Sequence, residues 1–233
     1  MDLYSKNLII DYVWQYSHFY ANKLIECEQH YLDGRGYSSL ILLFEITENI
    51  CKSVVGDFDS SFYCIVNELK NQNKITEEEK NFLSTNKFSI RKIRNLYAHA
   101  NLMSINLVCM EGERIIYYPL TEEKSCLVLY EKVSLILFNL LGKILYGIHC
   151  DGLEKEIKTF EIKFKEFSAR ELLKFRGFSD EDIDKAELVT DSSNLVRLAD
   201  NCPDIRAVRL IVEKIAEFEK NRKNDEKKNN ISL

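Results

Sequence analysis

Proline and glycine are scarce, at two and eight residues in a chain of 233. So few chain breakers favour long helices over a sheet closed by many turns. No run of 18 apolar residues occurs, which argues against a membrane partner, and the N-terminus carries no signal-peptide pattern. Cysteine is present but unorganised: Cys27, Cys51, Cys64, Cys109, Cys126, Cys150 and Cys202 are odd in number, and no two have C-x-x-C spacing. A disulfide framework is therefore not expected, and a cytoplasmic location is. His18, His30 and His149 do not gather into a zinc ligand set. No metal and no cofactor are expected. An excess of positive charge is missing too, since 32 Lys and Arg against 37 Asp and Glu give a net charge of −5. That excludes a general nucleic-acid coat held by counterion release but leaves room for a local anion site.

What the chain does have is 45% hydrophobic and 30% charged residues, the balance of a globular protein with a proper core. Apolar residues recur with helical spacing across 3–32, and Asp33-Gly34-Arg35-Gly36 reads as a turn. From Tyr37 to Val55 the pattern predicts a helix with Leu40, Leu43, Phe44, Ile46, Ile50, Cys51 and Val54 inward and Glu45, Glu48, Asn49 and Lys52 on the opposite face. A further helix is expected over 57–71, and Thr76 with Glu77, Glu78 and Glu79 forms a capping box that opens the next, with a bend near Ser84-Thr85-Asn86. Ile105–Met110 and Arg114–Tyr118 read as a hairpin, followed by a strongly apolar helix from Thr121 to about Tyr146. Residues 147–167 form a join in which Phe160, Ile162 and Phe164 alternate with charges as a short strand. Helix starts at Ser168–Glu171 and Ser179–Asp182, and Pro203 opening a helix to near Lys220, make up a C-terminal appendage. The expected division is thus a helical domain at 1–147, a small helical domain with a possible short strand at 148–221, and a disordered tail at 222–233.

One stretch joins a helical pattern to residues capable of chemistry: Ser89-Ile90-Arg91-Lys92-Ile93-Arg94-Asn95-Leu96-Tyr97-Ala98-His99-Ala100-Asn101. At about 100° per residue, Ile90, Leu96, Tyr97 and Ala100 fall within roughly 60° of Ile93 and form a core face. Arg94 and His99 stand about 140° apart at the two edges of the polar face. On geometry alone, a solvated face ending in a histidine accounts for this pattern.

The residues Arg94-Asn95-Leu96-Tyr97-Ala98-His99 resemble the R-x(4–6)-H motif of the HEPN superfamily. The preceding helices and the Asn71-Gln72-Asn73-Lys74-Ile75 lead-in also follow the order seen in HEPN domains, over about residues 5–147. The resemblance implies a mainly α fold, a HEPN-like antiparallel helical bundle, here with a β-hairpin insertion and a small C-terminal helical appendage. It further implies a homodimer with a composite site and a metal-independent endoribonuclease that acts on RNA. Toxin–antitoxin or antiphage defence would be its setting, with an antitoxin or an ATPase as a possible partner.

The residue chemistry suits that activity. RNA carries its own nucleophile, so scission needs a proton carrier, for which His99 is suited, and a cation for the phosphorane, for which Arg94 is suited. Asn95 is placed to bond a phosphate oxygen or to hold the imidazole one turn away. Glu45 or Glu48 would orient the Arg or His, Arg91 would support the site, and Lys87 and Lys92 would draw RNA to it. Tyr97, on the apolar face, is assigned to packing. The alternative is a non-catalytic HEPN-like module for dimerisation, nucleotide binding or partner docking.

Overall fold

The computed structural model describes residues 3–99, 102–187, 190–201, 206–215 and 217, with His99, Met103, Glu111, Ser192, Ser193, Asp200 and Asn201 described by their backbone alone. Among these the chain is mainly helical with one small sheet. It divides into two units, residues 1–165 and 166–233.

The first unit begins with α1 (Lys6–Tyr16) and α2 (His18–Leu32), not with one helix over 3–32. Ser17 makes the break. Its extended backbone cannot continue α1, and its hydroxyl accepts the Tyr20 N–H at the start of α2. The third helix, α3 (Gly36–Val55), buries Leu40, Leu43, Phe44, Ile46, Ile50 and Cys51, as its spacing predicts. It starts in close contact with a later helix, since a Cβ on Gly36 would stand 2.5 Å from the Glu123 carbonyl and 2.6 Å from the Leu127 nitrogen.

Next comes α4 (Phe62–Asn71), which starts later than the 57–71 pattern suggests. Asp57 spends its carboxylate on the N–H groups of Asp59 and Ser60, a turn that holds the chain out of helix until Ser61 caps it. Thr76 does open α5 (Glu77–Lys80) with a full capping box. The expected bend is more pronounced than a bend: a π-helical turn at Asn81–Thr85 ends the run, and α6 (Ile90–His99) begins anew.

β1 (Ile105–Glu111) and β2 (Arg114–Pro119) pair antiparallel, with Asn106 opposite Pro119 and Glu111 opposite Arg114. The two-residue connection places Gly112 at φ 62°, a conformation glycine adopts without penalty. Then α7 (Glu123–Tyr146) runs through the centre, against α1, α3 and α8. It is long and apolar enough to cross a membrane, yet 72% of its most apolar window is buried within the unit, so its hydrophobicity serves the core.

Residues 147–167 differ most from the expectation. They contain α8 (Asp151–Thr159), which packs on α5 and α7, before β3 (Lys163–Glu166) joins the sheet in the order β2-β1-β3. These contacts carry the division from 147/148 to 165/166.

Buried polar links fasten α7 to its surroundings. Asn139 donates to the Tyr4 and Leu135 carbonyls and accepts the Tyr4 N–H. Lys143 donates to both carboxylate oxygens of Glu79, which also accepts the Thr76 N–H. The Lys6 ammonium lies 4.8 Å over the Tyr130 ring and 2.8 Å from Glu28, which closes α1 onto α2 and α7.

In the second unit, α9 (Ala169–Phe175) opens with the expected Ser168–Glu171 capping box, and Ser179 with Asp182 opens α10 (Asp180–Glu187). α11 (Ser192–Asn201), which the spacing does not announce, is capped by Asp191, and residues 206–215 are helical. Leu172, Leu173, Phe178, Ile183, Leu195, Val208 and Val212 are buried there. Pro203 and the expected tail at 222–233 lie outside the described residues.

Candidate active site

The site forms where the polar stripe of α3 meets α6. On α6, Ile90, Ile93 and Tyr97 are buried, which turns Arg94 away from the core and toward α3. On α3, Tyr37, Ile41, Glu45, Glu48 and Asn49 follow one another at helical spacing along a single face. These five, with Arg94, Tyr97 and Ala98, line an open cavity of about 370 Å³. Glu48 makes an ion pair with Arg94 across the gap. It also takes Lys52, one turn along its own helix, at 3.0 Å. The Glu48 side chain is 14% exposed and that of Arg94 36%, so the pair sits at the cavity wall with the guanidinium still reachable from solvent.

Of the two carboxylates singled out by sequence, Glu48 therefore meets the arginine. Glu45 is exposed in the same cavity and, among the described residues, makes no hydrogen bond or ion pair.

Tyr97 packs as expected. Its hydroxyl lies 3.4 Å from the Cys126 sulfur, and burial, reinforced by Cys126, pushes its ionisation well above the ordinary phenol range. The Tyr37 ring meets the Tyr97 ring edge to face, with centroids 5.8 Å apart.

The remaining sequence candidates divide differently. Arg91 donates through Nε and Nη2 to the Ser84 carbonyl, both at 3.3 Å, and lies 5.5 Å over the Tyr63 ring. Lys92 donates to the Thr85 carbonyl at 3.3 Å. Both side chains thus satisfy carbonyls that the π-helical turn leaves open when the helix stops. Lys87 lies 5.1 Å over the Phe88 ring. Asn95 is half-buried on α6, and neither it nor Arg91, Lys92 or Lys87 lines the cavity. His99 is the last residue of α6, and its side chain lies outside the described residues.

Sequence reasoning missed Tyr37, Ile41 and Asn49 as parts of this cavity. The available signal was an aromatic and an aliphatic residue standing at i and i+4 on the otherwise polar stripe that carries Glu45 and Glu48.

A larger hollow of about 600 Å³ lies against β1, β2 and α7, with Leu107, Val108, Met110 and Ile115 in its wall, and contains none of the residues above. Among the described residues, no group of three or more His, Cys, Asp or Glu side chains is placed to hold a metal ion.

No protein-family model matches the chain, and no curated protein or solved structure matches it.

Proposed function

We propose that the chain is a metal-independent endoribonuclease, acting as a homodimer in the cytoplasm in a toxin–antitoxin or antiphage defence role. The observation that carries this reading is Arg94: a guanidinium at the wall of an open cavity, fixed by Glu48, on the helix that ends at His99. The resemblance of that helix to the HEPN motif supplies the reaction.

The RNA 2′-hydroxyl attacks the adjacent phosphorus, and the bond to the 5′-oxygen breaks. The products are a 2′,3′-cyclic phosphate and a 5′-hydroxyl. The His99 imidazole takes the proton of the 2′-hydroxyl and returns a proton to the leaving 5′-oxygen. Arg94 stabilises the charge that builds on the phosphorane oxygens, and a permanently charged, fork-shaped donor suits that task. Glu48 holds the guanidinium until a phosphate arrives.

The same ion pair favours a second reading, a non-catalytic module in which Arg94 and Glu48 simply join α6 to α3. Incubating the purified chain with structured RNA in EDTA, beside Arg94→Ala and His99→Ala, separates the two. The nuclease reading expects cleavage by the wild type and a loss of at least about a hundredfold in each variant. Cleavage that survives both substitutions contradicts it, and a folded wild type that cuts no RNA favours the module.

A further inference from the structure

The cavity offers more than strand scission uses. A phosphodiester needs Arg94 and proton carriers, and it has no need of the aromatic wall beside them. Tyr37 is 43% exposed, yet its ring is not loose. Tyr97, itself buried, holds it edge to face, and the Glu123 carboxylate accepts its backbone N–H at 2.8 Å. An edge-to-face contact fixes a ring while leaving part of its π surface uncovered. Ile41, one turn along α3, continues the apolar wall toward Glu48 and Arg94. A held, half-exposed aromatic ring sharing a cavity with an arginine is the arrangement that takes an unpaired base and its phosphate together.

We infer that Tyr37 is the base platform of this site: an unpaired RNA nucleotide stacks on its ring while the phosphate takes the place of Glu48 at Arg94. The identification of the ligand as RNA rests on the ribonuclease reading. The chain therefore selects single-stranded RNA, because in a duplex both faces of every internal base are already covered by neighbours. Tyr37 acts as a positioning residue. It sets affinity and leaves the chemical step to the Arg and His.

The test separates binding from cleavage by using a short, fluorescently labelled RNA oligonucleotide with 2′-deoxy substitutions, which cannot be cut. Fluorescence anisotropy with the full chain is expected to give a Kd raised about tenfold or more for Tyr37→Ala and Tyr37→Leu, the range of one lost base–aromatic stack. Tyr37→Phe is expected to bind as wild type, since stacking does not use the hydroxyl. The same sequence as a duplex is expected to bind at least about tenfold more weakly. With cleavable RNA, Tyr37→Ala is expected to raise KM and spare kcat. Folding of each variant is checked by circular dichroism, and Tyr37→Leu fills the space next to Tyr97 where alanine does not. A folded Tyr37→Leu that binds like wild type, or equal affinity for single strand and duplex, overturns the platform. If Tyr37-dependent binding is seen with no cleavage, the platform stands and the nuclease reading fails; Arg94-dependent cleavage indifferent to Tyr37 has the opposite meaning.

Discussion

Glu48 is the partner that an anion arriving at Arg94 would have to displace. In the free chain one carboxylate answers both Arg94 and Lys52, so an incoming phosphate competes with a partner already in place. Glu48→Gln keeps an acceptor near Arg94 and removes the competing charge. It is expected to tighten binding of an uncleavable single-stranded oligonucleotide severalfold, with folding of the variant checked by circular dichroism. Titrations against salt would check it, and an unchanged or weakened affinity would show that Glu48 does not compete with phosphate. Whether Glu45 or Glu48 meets the arginine was not legible from α3, because both lie on the same polar stripe and only the landing point of α6 decides. The thiols are simpler. Burial pushes Cys51 up to about 12 and also raises Cys27, while Cys64 is exposed. Because the thiolate is the reactive form, raising a thiol's pKa removes the nucleophile at neutral and mildly alkaline pH. Mass spectrometry after brief maleimide treatment at pH 8 is expected to find Cys64 labelled, and Cys27 and Cys51 labelled only after unfolding.

At the scale of elements, the close meeting of α3 with α7 at Gly36 makes a sharp prediction. A Cβ there would strike backbone atoms of Glu123 and Leu127, not the yielding end of a side chain. Gly36→Ala is therefore expected to destabilise the chain by about 1–3 kcal/mol although alanine is the better helix former. Thr76→Ala removes one half of the α5 capping box and is expected to cost about 1 kcal/mol in denaturant titrations. That box was legible because hydroxyl and carboxylate signal it locally, as were the apolar face of α6 and the turn at Gly112. The break at Ser17 was hidden by apolar residues that keep helical spacing on both sides of it. α8 was hidden for another reason: Leu153 and Ile157 are its buried residues, and no side chain caps its start. Tyr37 and Ile41 interrupt the polar stripe of α3, but nothing in α3 itself shows that α6 lands beside them and closes a cavity.

Across the whole molecule, the proposal depends on a second copy. Arg94 and His99 stand about 140° apart around α6, too far round for one helix to press both against one phosphate. A two-fold axis that sets one chain's Arg94 beside the other's His99 removes the difficulty. Mixing Arg94→Ala with His99→Ala tests this, since a mixed dimer then contains one complete site. Partial recovery of cleavage on mixing is expected, and none would place both groups of each site in a single chain. The most direct measurement concerns the ends of the products. Mass spectrometry of RNA cut in EDTA is expected to show a 2′,3′-cyclic phosphate upstream and a 5′-hydroxyl downstream, both lost in His99→Ala. A 5′-phosphate on the downstream fragment, or cyclic ends still forming without His99 and Arg94, would contradict the account.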